Sequence, residues 1–510
     1  MDGRKPMNLH DTMLQMGDQA VTAARQLATL GSRRKNIILE AMAESLEANR
    51  DRIKEANARD MAAGREAGLS DAMLDRLLLT DKRMDSMISG VRALIGLKDP
   101  VGQRISRWIR PNGLVIQKIR TPIGVIGIIF ESRPNVTVDS AALCFKTSNA
   151  VILRGGKEAL ESNKALVDTL QAGGTRKGLP ANAIQLITTT DYDAIRELVQ
   201  LQGRVDLVIP RGGEKLIRAV TEQAHVPVIK HYKGVCYAFV DESADQAKAL
   251  DIIENSKCSR PGVCNALEKV LVHEKIAAEF LPKLAARLTD KRVELRADEA
   301  SRAIVPALAP AAPADWDEEY LDLVMTIGVV PTLEAAIAHI NRHGSHHSDA
   351  ILAEDTKAQD KFFAEVDSAC VYANASTRFT DGGEFGMGAE IGISTDKLHA
   401  RGPMALEELT TYKYTIHGTG QIRSYSRANR PFCRGESGLP FAPAPVVWCF
   451  FRRVPWRIGI LSTRRPAKKS APTRKRTCAP SLLPANCPPT PWFGMTAWLT
   501  GFPPARLLLR

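Results

Sequence analysis

The apolar positions of residues 12–98 recur at helical spacing within a charged background. Ile38, Met42 and Leu46, for example, lie four residues apart and would form one stripe on an amphipathic helix. A Pro-Asn-Gly turn at 111–113 interrupts this pattern, and the run that follows it has strand composition. The sequence therefore predicts a helical N-terminal part followed by a protruding hairpin.

From residue 124 onward, short apolar runs alternate with helical stretches. These runs are rich in β-branched residues and almost free of charge, as strands covered on both faces must be. Strand, helix and strand in repetition indicate doubly wound parallel sheets, so we predict an α/β fold with two such domains. The predicted strands are 125–130, 150–153, 184–187, 206–209 and 226–229 in the first series, and 270–273, 326–330, 350–352 and 369–372 in the second. A last strand, 409–416, is rich in Thr and Tyr.

The composition of the chain changes near Arg423. All 510 residues together carry a formal net charge of +12, which would suggest a phosphate-rich partner such as a nucleic acid. Residues 424–510, however, contain 15 of the 69 basic residues and one of the 57 acidic ones, so this tail carries +14 and residues 1–423 carry −2. The charge therefore belongs to the tail alone.

The tail also holds 14 of the 29 prolines, four of the six tryptophans and four of the nine cysteines. We predict that it is disordered, although disordered tails that act in binding rarely contain so many Trp and Cys residues. Our hypothesis is that the reading frame shifts near Ser424, so that the tail is translated from an unselected frame. A nucleic-acid-binding tail is the alternative, and its binding would weaken steeply with salt.

Neither part of the chain carries a signal for export or membrane insertion. Residues 1–20 lack the continuous apolar segment of a signal peptide. The Trp- and Leu-rich stretch 492–509 is broken by Pro503 and Pro504 and cannot form a spanning helix. An odd number of cysteines without an export signal favours reduced thiols. We therefore predict a cytoplasmic protein with no membrane partner.

Cys264 is the first candidate for chemistry. It follows a Pro-Gly pair, which would place it on a tight turn, and Lys257 and Arg260 nearby would favour the reactive thiolate. A free cysteine is more often a small buried hydrophobe. The pattern alone leaves both interpretations open, and for Cys258 packing is the better one.

Three separated motifs supply the context for Cys264. They are Arg-Pro-Gly-Val-Cys-Asn-Ala-Leu-Glu at 260–268, Phe-Glu-Ser-Arg-Pro-Asn-Val-Thr at 130–137 and Arg-Gly-Pro-Met-Ala-Leu-Glu-Glu-Leu-Thr-Thr-Tyr-Lys-Tyr at 401–414. In this order they resemble the gamma-glutamyl phosphate reductase family of the aldehyde dehydrogenase superfamily, over roughly residues 14–423. The resemblance implies NADPH-dependent reduction of L-glutamyl 5-phosphate to L-glutamate 5-semialdehyde, in proline biosynthesis.

The resemblance also implies how the chain is divided. Two α/β domains would be joined by a β element that holds a homo-oligomer together. The expected segments are 1–106, the helical part of the cofactor-binding domain; 107–121, the oligomerisation hairpin; 122–230, the cofactor-binding domain; 231–372, the catalytic domain; 373–423, the return to the cofactor-binding domain with the oligomerisation strand; and 424–510, the basic tail.

Two catalytic roles follow from the resemblance. Cys264 matches the nucleophile that forms a thioester, and Asn135 matches the amide that stabilises the oxyanion, with the backbone N–H of Cys264 as second donor. Without the resemblance, Asn135 would be read as a loop residue that stabilises its own turn. Residues 230–237, where hydrolytic aldehyde dehydrogenases carry a catalytic Glu, contain no carboxylate, which fits a reductase that excludes water.

Two glycine turns are candidates for cofactor binding, because each leads from a predicted strand into a helix, where N–H groups favour phosphate. Common turns look the same, but the resemblance places the second turn beside the dinucleotide and gives the first the cations that suit a 2′-phosphate, which favours NADPH over NADH. Glu319 is either a ligand of the cofactor ribose or a solvated acid. The candidates are Arg154, Gly155, Gly156 and Lys157 in the first turn, and Arg211, Gly212 and Gly213 in the second.

Four histidines between 339 and 347 could suggest a metal site. No Cys or carboxylate completes a ligand set there, and the run resembles one in this metal-free family. We therefore expect no metal and, despite the basic tail, no nucleic-acid partner. The alternative function is an aldehyde dehydrogenase whose reaction does not involve phosphate.

Overall fold

Helices form the first part of the fold, and strands alternate with helices after it. The computed structural model describes residues 8–423. Its helices are α1 (Leu9–Leu27), α2 (Ser32–Ala48), α3 (Arg50–Glu66), α4 (Asp71–Leu77), α5 (Asp81–Gly96), α6 (Asn135–Lys146), α7 (Leu160–Thr175), α8 (Asp193–Val199), α9 (Glu214–Gln223), α10 (Gln246–Cys258), α11 (Glu274–Asp290), α12 (Glu299–Ile304), α13 (Leu333–His343) and α14 (Thr356–Glu365). Several begin at a side-chain cap, such as Asn8 for α1 and Thr80 for α5.

The strands belong to four sheets. They are β1 (Arg104–Ile109), β2 (Val115–Pro122), β3 (Val125–Phe130), β4 (Ala150–Arg154), β5 (Ile184–Leu186), β6 (Leu207–Arg211), β7 (Cys236–Val240), β8 (Leu267–His273), β9 (Glu294–Ala297), β10 (Ala309–Pro310), β11 (Val324–Val330), β12 (Ser348–Leu352), β13 (Cys370–Ala373), β14 (Gly392–Ser394), β15 (Gly402–Met404) and β16 (Thr410–His417). Every strand of the predicted first series except the last, and every strand of the second, is present.

Two of the sheets are parallel and doubly wound. The first has the order β5-β4-β3-β6 and the second the order β10-β9-β11-β8-β7-β12-β13. In the first sheet the chain moves from β3 to β4 and β5, and then returns to place β6 on the other side of β3. Ligands of such sheets bind beyond the carboxyl ends of the strands where the order reverses, which here means beyond β3 and β6.

Each parallel sheet has its own apolar core. Helices from the first half of the chain pack with β3–β6 into one cluster, and both faces of the larger sheet are covered by separate clusters. All six residues of β3 are buried, which explains why its sequence is a continuous apolar run rather than an alternating one. All seven residues of β8 are buried as well, although they include Glu268, whose carboxylate pairs with Lys257 at 3.1 Å. The predicted α/β class with two doubly wound sheets is confirmed.

The predicted hairpin is also present and forms a third, antiparallel sheet. β1 pairs with β2, and β16 pairs with the other edge of β2 from Val115 to Pro122. Every residue of β1 is exposed, so the element projects from the parallel sheets. The division of the chain into segments at residues 106, 121, 230 and 372 stays a prediction. The predictions for residues 424–510 lie outside the described residues.

One strand prediction is wrong, and five strands had no prediction: β7, β9, β10, β14 and β15. Residues 226–229 make only an isolated bridge between Val228 and Val208, because Pro227 has no N–H to donate to a longer ladder. β7 was overlooked within a region considered only for its missing carboxylate. β9 was overlooked because Glu294 and Arg296 give its short sequence a polar appearance.

Candidate active site

Cys264 lies in the irregular segment between α10 and β8, half-buried and not in a disulfide. The next residue anchors this segment. The side-chain amide of Asn265 donates to the carbonyl oxygens of Thr380 at 2.9 Å and Arg378 at 3.3 Å, and the Thr377 hydroxyl donates to the carbonyl oxygen of Asn265 at 2.7 Å. Residues more than a hundred positions later therefore hold the candidate nucleophile in place.

The segment before β7 packs against the other side of Cys264. A Cβ at Gly234 would overlap the carbonyl group of Cys264, so only glycine fits there. The Sγ of Cys236 lies 3.3 Å from the same carbonyl oxygen. The backbone of Cys264 is thus enclosed on two sides.

The thiol of Cys264 needs help to ionise. Burial raises its pKa to about 11, the positive charge of Arg211 opposes that rise, and the carboxylates of Glu319 and Glu390 add to it. Because the thiolate is the nucleophilic form, cations near the sulfur decide how reactive this residue is. Arg211 is one of them.

Arginine side chains converge on this cysteine. The charges of Arg133 and Arg378 both interact with the Cys264 thiol, and both side chains lie within the field of Arg260. Arg378 also contacts the Asn265 side chain. Within residues 8–423, neither these three nor Arg211 forms an ion pair, unlike many surface arginines. The surroundings of Cys264 therefore have a positive field suited to an anionic ligand.

Asn135 is the first residue of α6, directly beyond the carboxyl end of β3. Its Nδ2 donates to Oδ2 of Asp139 at 3.0 Å. Arg133, two residues before it, interacts with Cys264, so this turn faces the nucleophile. The structure therefore brings the predicted oxyanion donor to the edge of the sheet at which Cys264 lies.

The first glycine turn follows β4. The Arg154 guanidinium donates to the carbonyl oxygens of Gly155 at 2.6 Å and Thr190 at 3.4 Å, and it lies 5.5 Å from the centre of the Tyr192 ring. Lys157 is exposed. Arg154 thus shapes the turn, and Lys157 presents the cation that is free to meet a phosphate.

Close packing explains both glycines of this turn. A Cβ at Gly155 would overlap the side-chain amide of Asn163, and one at Gly156 would overlap the carboxylate of Glu158. Glu158 accepts a hydrogen bond from the Ser132 hydroxyl at 2.6 Å. The turn is thereby tied to the loop that follows β3.

The second glycine turn joins β6 to α9. The N–H of Gly213 donates to Oε2 of Glu131 at 2.9 Å, and nothing lies within 4 Å of a Cβ built on Gly213. The Gly213 N–H is therefore occupied by a carboxylate, and what the turn offers a dinucleotide phosphate is the open space at the start of a ten-residue helix. Arg211 behaves differently from its neighbours, because its guanidinium lies over Gly392 and its charge acts on Cys264.

Glu319 reaches the site from a distant segment. Its Oε1 accepts a hydrogen bond from the N–H of Gly234 at 2.9 Å, and burial raises the pKa of its carboxyl group. The region 230–237 carries no carboxylate of its own, but Glu319 supplies one at its edge. The sequence left Glu319 open between a ligand of the cofactor ribose and a solvated acid, and it did not predict this contact with Gly234.

The four histidines do not assemble a metal site. No group of three or more His, Cys, Asp or Glu residues between positions 8 and 423 has the arrangement to hold a metal ion. His343 pairs with Asp317 at 2.9 Å, whereas His347 is fully buried. In the same part of the chain, no helix is long and apolar enough to cross a membrane.

Cys264 lies between the two doubly wound sheets, and two glycine turns follow strands of the first sheet. This arrangement defines a class of protein. The sequence profile of the aldehyde dehydrogenase family matches residues 10–322, and the chain belongs to this family. Members of the family use a nicotinamide cofactor. The open glycine turn beyond β6 and the exposed Lys157 beyond β4 are residues that fit such a group.

Within the family, the chain is similar to gamma-glutamyl phosphate reductases. It is 55% identical to that of Moorella thermoacetica over 417 residues, covering 82% of this chain and 100% of the relative. It is 51% identical to that of Halothermothrix orenii over the same length and coverage. The crystal structure of the Thermotoga maritima gamma-glutamyl phosphate reductase is 48% identical, with a TM-score of 0.80 and coverage of 81% and 100%. The resemblance drawn from the three motifs is confirmed.

Proposed function

We propose that this chain reduces L-glutamyl 5-phosphate to L-glutamate 5-semialdehyde and phosphate through a thioester on Cys264, with NADPH as the hydride donor. This is the second step of proline biosynthesis from glutamate. The observation that carries the proposal is the position of Cys264 among four arginines that form no ion pair within residues 8–423: Arg133, Arg211, Arg260 and Arg378. It agrees with the names of relatives that cover nearly the whole of residues 8–423.

The reaction divides into two balanced steps. The Cys264 thiolate attacks the acyl carbon, a carbon–sulfur bond forms, and the carbon–oxygen bond to phosphate breaks, which releases phosphate. The nicotinamide cofactor, when bound, supplies a hydride to the thioester carbon. The carbon–sulfur bond then breaks, the aldehyde leaves and the thiolate is restored.

The arginines explain why the substrate is an acyl phosphate rather than a neutral aldehyde. Glutamyl phosphate brings two negatively charged groups, and the positive field of Arg133, Arg260 and Arg378 would hold them beside the sulfur. Arg211 lowers the cost of forming the thiolate. A neutral aldehyde would make no use of these charges.

Asn135 and the N–H of Cys264 are the proposed donors to the oxygen of the acyl group. Negative charge grows on that oxygen in both steps, so donors fixed in advance stabilise each transition state. The side-chain amide of Asn135 is held by Asp139. This arrangement gives the helix start at α6 a catalytic role.

Hydrolysis of the thioester would need a general base to activate water, and region 230–237 carries no carboxylate of its own. Three carboxylates from other segments contact region 230–237, and each already accepts a hydrogen bond there: Glu319 from the N–H of Gly234, Asp349 from the N–H of Tyr237 and Asp396 from the N–H of Lys230. A thioester that no activated water attacks persists until hydride is transferred to it. Reduction is therefore favoured over hydrolysis to a free acid.

The cofactor preference rests on Lys157 and Arg154. Their charges beyond β4 favour the extra phosphate of NADPH, while NADH remains the alternative cofactor. We also propose that the hairpin sheet joins subunits into a homo-oligomer, because Ile109 and Ile416 on it are 58% and 61% exposed. A cytoplasmic location would keep Cys264 reduced.

The decisive experiment runs the reaction backwards with glutamate semialdehyde and NADP⁺. We expect NADPH to form only when inorganic phosphate or arsenate is added. Phosphate-independent oxidation would instead identify the rival, an aldehyde dehydrogenase that makes a free acid. Cys264→Ala should abolish turnover but still bind NADPH in a fluorescence titration, and retained turnover would exclude the thioester.

A further inference from the structure

We propose that Asp139 is a positioning residue, whose carboxylate fixes the side-chain amide of Asn135 so that one N–H points at the acyl oxygen. This inference rests on the proposed function, because it requires Asn135 to stabilise an oxyanion. It adds a residue that the three motifs and the resemblance did not single out as functional. The argument starts from one hydrogen bond within α6.

Asn135 and Asp139 are four residues apart on α6, so their side chains lie on the same face of the helix. Nδ2 of Asn135 donates to Oδ2 of Asp139 at 3.0 Å. An ionised carboxylate accepts hydrogen bonds and cannot donate them. The –NH₂ group of Asn135, and not its carbonyl oxygen, must therefore face Asp139.

Fixing one hydrogen of the amide also fixes the other. The two N–H bonds of an amide diverge by about 120°, so the second hydrogen stays available for a substrate oxygen. If the amide turned over, its carbonyl oxygen would take part of that place and repel the developing oxyanion. Asp139 thus excludes the orientation that would oppose catalysis.

The surroundings of Asp139 leave its charge for this task. Asp139 forms no ion pair within residues 8–423. From α5, Gly90 approaches it, with a Cβ built on Gly90 4.0 Å from Oδ1. Arg211, at the end of β6, is the charged group whose field acts on it. Within the described residues, the side-chain hydrogen bond of this carboxylate is therefore the one that it accepts from Asn135.

The same surroundings make the arrangement sensitive to pH. Burial raises the pKa of Asp139 to about 6, against the lowering effects of the Asn135 hydrogen bond and of Arg211. Above this value the carboxylate orients the amide. Below it the protonated carboxyl group can donate to the carbonyl oxygen of Asn135, and both orientations become available.

Asp139→Asn tests the proposal, because it keeps the shape but lets the side chain donate as well as accept. We expect kcat to fall by about 10- to 100-fold, while KM for glutamyl phosphate changes by less than about 2-fold, since the donor matters most in the transition state. The decline of kcat in wild type below about pH 6 should be absent from the variant. Asp60→Asn, which neutralises a buried carboxylate that is bonded to Ser162 and has no contact with Asn135, should keep both kcat and that decline.

A double-mutant cycle separates positioning from a structural role. If Asp139 acts only through Asn135, then Asp139→Asn added to Asn135→Ala should cause no further loss of kcat. A further loss of tenfold or more would overturn the proposal, as would an unchanged kcat in Asp139→Asn.

If Asp139→Asn does not fold, the pH profile of Asn135→Ala decides the matter. A profile without the decline near pH 6 supports the proposal, and an unshifted decline refutes it. A wild-type enzyme without phosphate-dependent turnover would instead reject the proposed function itself.

Discussion

Gly234 lies directly against the carbonyl group of Cys264, and its N–H donates to Glu319. This contact joins the segment that precedes β7 to the nucleophile loop that precedes β8. In a close-packed interior, such a contact leaves no room for even one methyl group. The position of the sulfur therefore depends on a residue that carries no functional group.

Gly234→Ala should consequently impair catalysis more than stability. The added methyl group would push Cys264 away from its position, and a displacement of about 1 Å can cost about 100-fold in rate. We expect kcat/KM to fall by about that factor, measured in the phosphate-dependent assay. Gly31→Ala is the matched control, because nothing lies within 4 Å of its Cβ. A Gly234→Ala enzyme with the kinetics of Gly31→Ala would contradict this account.

Arg211→Gln should make Cys264 less reactive. Burial already raises the pKa of the thiol to about 11, and Arg211 opposes that rise. Without this charge the pKa rises further, so at a fixed pH the fraction of thiolate decreases. Alkylation of Cys264 by iodoacetamide at pH 8 should slow by about 3- to 10-fold, whereas Arg211→Lys should react nearly as wild type. Equal rates in all three proteins would show that Arg211 does not act on the sulfur.

Lys157→Glu should weaken the preference for NADPH. The side chain is exposed at the turn beyond β4, and an acid there would repel a 2′-phosphate. We expect KM for NADPH to rise about tenfold or more, with a smaller change for NADH. Lys177→Glu, an exposed lysine in the loop after α7, serves as the control. The same loss for both cofactors would mean that Lys157 does not recognise that phosphate.

His347 should make the fold less stable in acid. Burial lowers its pKa to about 3, whereas an unfolded chain titrates near 6.5. As pH falls from about 6.5 towards 3, His347 binds a proton in the unfolded state but not in the folded state. The free energy of unfolding therefore decreases by about 1.4 kcal/mol per pH unit. Urea unfolding between pH 7 and 4 should show a shallower dependence in His347→Gln but not in His225→Gln, whose side chain is exposed.

Ile416→Asp should reduce the size of the assembly. Ile416 lies on β16 and is 61% exposed, and a buried carboxylate at a subunit contact would be costly. Analytical ultracentrifugation should detect smaller species. Phe363→Asp replaces an exposed apolar residue of α14 and should leave the size unchanged. An unaltered assembly in Ile416→Asp would place the subunit contact elsewhere.

The parts of the fold that repeat locally could be predicted from the sequence. β3 is buried on both faces and therefore appears as a continuous apolar run, and the Pro-Asn-Gly turn predicts the hairpin. The strand prediction for residues 226–229 was wrong, because this apolar run contains Pro227 and forms a single bridge rather than a strand. Composition indicates burial but not hydrogen bonding.

The candidate site was only partly visible in the sequence. Cys264 and Asn135 stand in motifs, but the bonds from Asn265 to Arg378 and Thr380 join segments more than a hundred residues apart, and no local pattern reports them. The Arg211 guanidinium likewise lies over Gly392, and no local sequence pattern reports this contact. The contact between Asn135 and Asp139 had one sequence signal, their i,i+4 spacing, and this spacing is common in helices.

The pairing of the hairpin sheet sets an order of events during synthesis. β2 is the central strand, with β1 as its near partner and β16, almost the last of the described residues, as its far one. Pairing across so long a stretch of chain comes late in folding. A growing chain on the ribosome thus keeps one edge of β2 open until residue 417 has emerged, so the surface that we propose for subunit contact is completed only after every strand of both parallel sheets has been synthesised.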